Sequence, residues 1–380
     1  MALSKFEHVK ISGITAVVPE RVINIDDEIG FYENNPKKLE RNKKILGLGS
    51  RHVVDAGTTS VDLCEDAARN LFTEMKIDPQ TIDALIMVST SHDYAYPASA
   101  CVLHGRLGLN EKCAALDIAG LACSGYVYGL WTASSMVESG AVKRCLLLVG
   151  DISSTHSDIR NRTTNMLFGD AGTATLLEYS EENTSSWFYL GTRGKEWERI
   201  IAPATGYRIP VREDIANIET TDAGGNVWHL WEDIMDGMGV FQFTMDVAPA
   251  SIKELAAFSG IPQEDISFYA FHQANGQIVR SISRTAGISE EKAPVETFRK
   301  YANCSTASVA TVLTDQLKDK KLNNVMLVTF GVGLSWASCL IDMEQTYNGG
   351  IKIFQKPQQS FNRQEAVEHY IKLFKNGGVQ

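Results

Sequence analysis

The run 115-ALDIAGLACSGYVYG-129 holds an apolar strand-like segment, then Cys123, then a helix-like segment, with Asp117 as its only charge. Cys123 thus falls where a buried strand gives way to a buried helix. A cysteine there is either a small inert core residue or a nucleophile, and the run alone leaves both open. The case for a nucleophile is physical. A helix start presents the positive end of the helix dipole and unpaired backbone N–H groups. Both favour the thiolate, and the same N–H groups can face an oxyanion formed during acyl transfer. Ser124 and Gly125 are small enough to leave room for substrate.

Outward from this run the pattern alternates between strand and helix. The stretches 82-IDALIMVST-90, 113-CAALDIAG-120, 145-CLLLVGD-151, 266-ISFYAFHQ-273 and 325-VMLVTFGVG-333 are strand-like. Helical runs such as 125-GYVYGLWTASSMVESGAV-142, 277-QIVRSISRTAGI-288 and 305-STASVATVLTDQLKDKK-321 lie between them. Short apolar runs alternating with helices predict a layered α/β fold with buried, largely parallel strands. The two halves also overlay. IDPQTIDALIMV from Ile77 matches IPQEDISFYAFH from Ile261 at a shift of 184, and CLLLVG from Cys145 matches VMLVTF from Val325 at a shift of 180. The shift of 180 sets Cys123 on Asn303. A duplicated α/β unit follows, with an N-terminal half over 1–180 and a C-terminal half over 226–380. Residues 181–225 are polar and rich in Gly, Ser and Thr, and read as a connecting insertion.

Composition narrows the function. A formal net charge of −10 argues against non-specific binding to nucleic acid or to anionic membrane. The seven cysteines form no CxxC pair with metal-ligand spacing, so free thiols in a reducing cytoplasm are expected, with no metal. The N-terminal stretch MALSKFEHVKISGITAVV carries Glu7 and Lys10 and lacks a signal-peptide core. Residues 113–137 and 325–341 are nearly free of charge, but Gly, Ser and Thr interrupt them, and they read as core rather than membrane spans.

A nucleophile needs partners. His272 ends the strand-like ISFYAFHQ, with Gln273 and Asn275 following, and Asn303 in 301-YANCSTAS-308 sits where a loop enters a helix. Separately, each has an ordinary structural reading: a satisfied polar group for His272 and an N-cap for Asn303. Together, Cys, His and Asn at the same edge of an α/β sheet mark the place where ligands and chemistry gather.

The motifs DIAGLACSGYVYGLWTASSMVESGAVKRCLLLVG, LFGDAGTAT, HQAN, NCSTAS and FGVGLSWAS, in that order, resemble those of beta-ketoacyl-acyl-carrier-protein synthase III, within the thiolase superfamily. The resemblance spans about Lys10 to Leu340. It implies a five-layered αβαβα fold of two similar halves, a homodimer, and a Cys-His-Asn site. Cys123 would be the acyl-accepting nucleophile, while His272 and Asn303 would hold the thioester carbonyl of the second substrate. The backbone N–H groups of Cys123 and Val332 would form an oxyanion hole. Tyr96 would reach the neighbour's Cys123 across the interface, and Asn275 and Gly333 would line the pocket. Neutral His and Asn offer N–H donors that stabilise the enolate left when a malonyl group loses carbon dioxide. The enolate carbon then attacks the acyl-cysteine, with no metal or redox cofactor required.

Three departures qualify the resemblance. The loop usually written as three glycines is Gly331-Val332-Gly333, and a β-branched residue avoids φ > 0. The motif GNTSAAS is here ANCSTAS, where Cys304 reads as a size substitution. In 41-RNKKILGLGSRH-52, Arg41 and Ile45 stand where many relatives sandwich the adenine of coenzyme A between Trp and Arg. Acyl-carrier protein therefore becomes the expected donor, with coenzyme A thioesters as the alternative. Docking bases are sought at Lys43, Lys44, Arg280 and Arg284, and Gln277 replaces an Arg common in relatives. No complete GxGxxG supports a dehydrogenase, and the residue order excludes a nucleophile-elbow hydrolase. Transfer of the acyl group to an alcohol or amine stays open, as does type III polyketide-like condensation.

Overall fold

The computed structural model describes residues 2–161, 163–356 and 363–375. The strands that build its two main sheets are β1 (Ala2–Phe6), β2 (Val9–Val18), β3 (Ala84–Ser89), β4 (Ala114–Ala119), β5 (Arg144–Asp151), β6 (Ala171–Tyr179), β7 (Ser186–Thr192), β8 (Phe268–Phe271), β9 (Val325–Gly331), β10 (Ser335–Ile341) and β11 (Tyr347–Ile353). The helices used below are α1 (Pro36–Leu46), α2 (Ser60–Met75), α3 (Ser99–Leu107), α4 (Gly125–Glu138), α5 (Gly237–Ser259), α6 (Gly276–Ala286) and α7 (Ser308–Gln316).

The first sheet has the order β11-β2-β6-β5-β3-β4 and the second β1-β7-β10-β9-β8. Helices α4 and α7 lie between the sheets. Tyr126, Leu130, Val309 and Leu313 share one core with Ile86 and Leu147 of the first sheet and Leu327 and Cys339 of the second. A helix buried against sheets on two sides must be apolar nearly all round, which is why the run after Cys123 carries almost no charge. Gly129 lets α4 approach closely, since a Cβ there would lie 2.8 Å from Leu147 Cδ1. Helices α2 and α3 cover the outer face of the first sheet through Val61, Leu71, Leu103 and Met87. Helices α5 and α6 cover the second through Phe243, Ile252, Val279 and Met326. The result is five layers, helix–sheet–helix–sheet–helix.

Two features differ from the sequence expectation. The sheets are mixed rather than largely parallel: β3 pairs in parallel with β4 and β5, and β8 with β9, but β5/β6, β2/β6, β9/β10 and β10/β7 are antiparallel. Parallel pairs need a long crossover, whereas the three residues between β9 and β10 permit only a hairpin. The halves also exchange strands across the expected boundaries. β1 belongs to the second sheet, β11 to the first, and β7 is an inner strand lying within the stretch read as an insertion. Its core 187-WFYL-190 has the aromatic composition of a strand, masked in the sequence by polar neighbours.

Candidate active site

Cys123 lies in a short 3₁₀ turn, Ala122–Ser124, between β4 and α4. Ala122 holds φ at 42°, Ala302 beside Asn303 holds 59°, and Ser305 holds 48°. Residues with a Cβ adopt this left-handed region at a cost of about 1–3 kcal/mol, and such positions cluster at functional sites. Cys123 as a residue is half-buried. Burial, and after it the charge of Asp151, push its thiol up to about 12, against a hydrogen bond from the Ser305 side chain. The thiolate expected from the helix start is therefore not the resting form. At neutral pH Cys123 is a thiol, and its proton must leave as it reacts.

Ser124 and Gly125 do not provide substrate space. Ser124 Oγ lies 2.6 Å from Ser335 Oγ, and a Cβ on Gly125 would lie 2.6 Å from Thr306 Cγ2 and 2.8 Å from Val88 Cγ1. They are the close-packed seam between the halves. Gly331, at the end of β9, faces the nucleophile directly, and a Cβ there would lie 2.9 Å from Cys123 Cβ.

His272 continues β8, with its backbone N–H donating to Val328 O at 2.8 Å. Its ring is buried and meets the Phe330 ring in an edge contact at 5.3 Å. Burial holds the imidazole down at about 3, so it is neutral at physiological pH, and Nδ1 has no hydrogen-bond partner among the described residues. Asn303 is clamped to the other half, with its N–H donating to Leu167 O at 3.0 Å and its C=O accepting from Gly169 N at 3.1 Å. Its Oδ1 accepts from Ser305 N at 2.9 Å, so the side-chain oxygen is used locally and the NH₂ is the amide's remaining hydrogen-bonding group. Asn303 is not the N-cap expected from the sequence: that position before the turn Ser305–Ala307 is Cys304, and the Asn303 bond to Ser305 N is a local turn contact.

In the loop after β9, Gly333 takes φ of 131°, while Val332 keeps the negative φ that a β-branched residue prefers. Ser335 Oγ donates to Val332 O at 2.6 Å and so ties this loop to Ser124. Cys304 is fully buried among Val18, Ala171 and Ala307, and its thiol is pushed upward by burial. Asn275 uses its Oδ1 to cap α6, accepting from Ile278 N at 2.9 Å. Tyr96 stands 80% exposed.

The basic residues sought for docking lie around one junction. Arg280 of α6 donates to Ile45 O at 3.1 Å and so closes the C-terminal end of α1, which carries Lys43 and Lys44. Lys43 is paired with Asp26 at 2.8 Å and Glu40 at 3.3 Å, while Lys44 and Arg284 are exposed. An open cleft of about 750 Å³ beside them is lined by Asp26, Lys43, Lys44, Ser50, Arg299 and Lys300.

Sequence reasoning missed Asp151 and Thr306. Asp151 is fully buried at the end of β5, and Thr306 N and Oγ1 both donate to it. The signal was a charged residue closing an otherwise apolar strand, 145-CLLLVGD-151. One group of metal-ligating side chains exists among the described residues, Asp158, Glu219 and His229. Arg160 bridges its two carboxylates at 2.7 and 2.6 Å, in the place a cation would take. Among the described residues no helix is long and apolar enough to cross a membrane.

Residues 116–194 match the family described as 3-oxoacyl-(acyl-carrier-protein) synthase III, and residues 256–343 match its C-terminal region. A Campylobacter jejuni subsp. jejuni protein, provisionally named 3-oxoacyl-(acyl-carrier-protein) synthase 3, is 38% identical over 354 residues, 93% of this chain and 99% of its own. A beta-ketoacyl-(acyl-carrier-protein) synthase III of Campylobacter concisus is 30% identical over 86% of this chain and 95% of its own. A solved 3-oxoacyl-(acyl-carrier protein) synthase from Burkholderia xenovorans LB400 matches the fold with a TM-score of 0.84 at 31% identity, covering 93% of this chain and 99% of that one.

Proposed function

The chain belongs to the 3-oxoacyl-(acyl-carrier-protein) synthase III family of thiolase-fold acyltransferases, and from that premise we propose how its own residues perform a decarboxylative Claisen condensation. Cys123 Sγ attacks an acyl thioester, forming a new carbon–sulfur bond as the donor's thiol leaves with the proton from Cys123. A malonyl thioester then loses carbon dioxide, and the electron pair of the broken carbon–carbon bond becomes an enolate. N–H donors of His272 and Asn303 stabilise the enolate oxygen. The enolate carbon attacks the acyl-cysteine, whose oxygen meets the backbone N–H groups of Cys123 and Val332. The carbon–sulfur bond breaks to release a 3-oxoacyl thioester, and Cys123 regains a proton.

The observation that carries this reading is a buried neutral imidazole and an amide whose oxygen is already engaged, in a fold that seats Gly331, at the end of the strand beside β8, directly against Cys123. Such donors stabilise negative charge without bringing a formal positive one. The test is intact-mass spectrometry with a panel of acyl-coenzyme A and acyl-carrier donors. Wild type gains the acyl mass and Cys123→Ala does not. Labelling that persists in Cys123→Ala and maps to Cys304 overturns the assignment.

The donor is an acyl-carrier thioester in this reading. Arg41 and Ile45 offer no aromatic face for adenine, and the exposed Lys44 on the cleft beside α1, with the exposed Arg284 on α6, would be the basic groups for an acidic surface. The chain works as a homodimer. β4 is an edge strand whose outer side pairs with nothing among the described residues, and Leu116 and Ile118 on it are only half-buried. An apolar edge of this kind is normally covered. A second copy laid along it would bring the exposed Tyr96 toward the neighbouring site.

A further inference from the structure

We propose that Asp151 and Thr306 form a clasp that sets Asn303 against Cys123, making both positioning residues for the decarboxylation that generates the enolate. The assignment rests on the condensation reading above.

Asp151 ends β5 of the first sheet and has no solvent exposure. Its Oδ1 faces its own half and accepts from Thr90 N at 2.8 Å, Ser89 Oγ at 3.0 Å, Thr90 Oγ1 at 3.0 Å and Ser91 Oγ at 3.2 Å. Its Oδ2 faces the other half and accepts from Thr306 N at 3.2 Å and from Thr306 Oγ1. All these donors are neutral. A buried carboxylate held by neutral donors is not an economical way to stabilise a fold, because apolar packing of similar volume does as well or better. It does fix direction. A carboxylate only accepts, so the donors on both sides have a single arrangement.

Thr306 carries that arrangement to the site. It belongs to the turn Ser305–Ala307, whose first N–H is bonded by Asn303 Oδ1. Its γ-methyl packs where Gly125 has no Cβ, two residues beyond Cys123. Thr306 is therefore held by Asp151 on one side and seated on the Cys123 helix by the other. Moving its hydroxyl moves Ser305, and with it the amide of Asn303 relative to the nucleophile. Burial, and after it the charge of Asp151, raises the Cys123 thiol.

The two half-reactions separate this role from plain stability. Thr306→Val keeps the methyl shape and removes the hydroxyl. Acylation of Cys123, read by intact mass in a single turnover, is expected to stay within about threefold of wild type. Carbon dioxide release from malonyl-coenzyme A and from malonyl-carrier protein is expected to fall roughly 10²-fold, the scale of a misplacement near 1 Å or of a lost oxyanion donor. Thr306→Ser, which keeps the hydroxyl, restores release. Asp151→Asn, which sets an amide where two donors need an acceptor, falls in the same direction. Thr306→Ala serves as the second hydroxyl-less variant if Thr306→Val does not fold. Equal loss in both half-reactions, or release at the wild-type rate in the hydroxyl-less variants, overturns the clasp. A wild type that acylates on Cys123 but never releases carbon dioxide overturns the condensation reading itself, and the clasp's role in that step with it.

Discussion

Replacing Gly331 by Ala adds one methyl group against the nucleophile. The new Cβ would lie 2.9 Å from Cys123 Cβ, 3.3 Å from its N and 3.4 Å from its Cα. Carbon atoms in contact sit about 3.5–4.0 Å apart, so the Cβ pair must separate by roughly 0.6–1 Å. Neither side yields easily. Gly331 is registered opposite Ser335 in the β9/β10 hairpin, and Cys123 is fixed by a turn whose preceding residue is already at positive φ. Overpacking of this kind costs about 1–3 kcal/mol of stability. The effect on chemistry should be larger, because a misplacement near 1 Å is worth about 10²-fold in rate. Single-turnover acylation of Cys123, normalised to the folded fraction from a thermal melt, is expected to drop by that order. Gly129→Ala is the control. Its Cβ would meet Leu147 Cδ1 at 2.8 Å and Val88 Cγ2 at 2.9 Å, within the core, so it should lose stability and keep its acylation rate per folded molecule. A folded Gly331→Ala protein that acylates at the wild-type rate would refute the close seating of this loop against Cys123.

Asn303→Ala is expected to acylate on Cys123 yet lose on the order of 10²-fold or more in malonyl decarboxylation; failure to acylate at all would contradict its assignment to the second half-reaction. The imidazole of His272 is held at about 3 against about 6.5 in the unfolded chain, so the stability it confers is fully present above pH 6.5 and is lost as pH falls toward 3. That limb is worth at most on the order of 5 kcal/mol, and urea titrations should show His272→Asn flattening it; an unchanged acid limb refutes the burial argument. Acylation from a carrier-protein donor should exceed that from the same acyl group on coenzyme A and fade with added salt, whereas salt-insensitive, equal rates would make the α1 bases a solvated face. Light scattering should give about twice the chain mass, and a monomer in dilute buffer would count against the pairing of β4 edges.

Much of this was legible in the sequence, for physical reasons. A helix packed between two sheets has to be apolar all round, so 125-GYVYGLWTASSMVE-138 announces the middle layer. Cys123, His272 and Asn303 stand at element ends, where the pattern changes and a polar residue is conspicuous. β7 was not legible, because strand composition over four residues is outweighed by its polar flanks. The crossing of β1 and β11 into the opposite sheets was hidden too, since pairing partners are a long-range property that local periodicity does not carry. Ser124 and Gly125 illustrate a third limit. Small residues read equally as space for a ligand and as space for a neighbouring chain segment, and only the seating of Thr306 and Ser335 decides between them. The thiolate expectation weighed a helix start without the burial of the thiol and, after it, the charge of Asp151, both of which raise it.

The protonation states of the site follow from where the fold buries it, and they suit the chemistry. An imidazole left in water titrates near neutral pH, so a substantial share would be cationic. A cationic imidazolium beside an enolate is a proton donor as well as a hydrogen-bond donor, and it would quench the carbanion before that carbon reached the acyl-cysteine. Burying His272 beside Phe330 removes the charge but keeps an N–H, which in the proposed mechanism would stabilise the oxygen without readily giving up its proton. In the proposed mechanism Asn303 supplies the second donor, from a group that does not titrate at all. The same burial, with Asp151 beside it, keeps Cys123 as a thiol at rest. A resting thiolate would face oxidants and stray electrophiles throughout the cycle, whereas a thiol becomes nucleophilic only as its proton is drawn off. A site assembled from neutral groups is thus slow to react idly and still able to hold the negative charge that both half-reactions create.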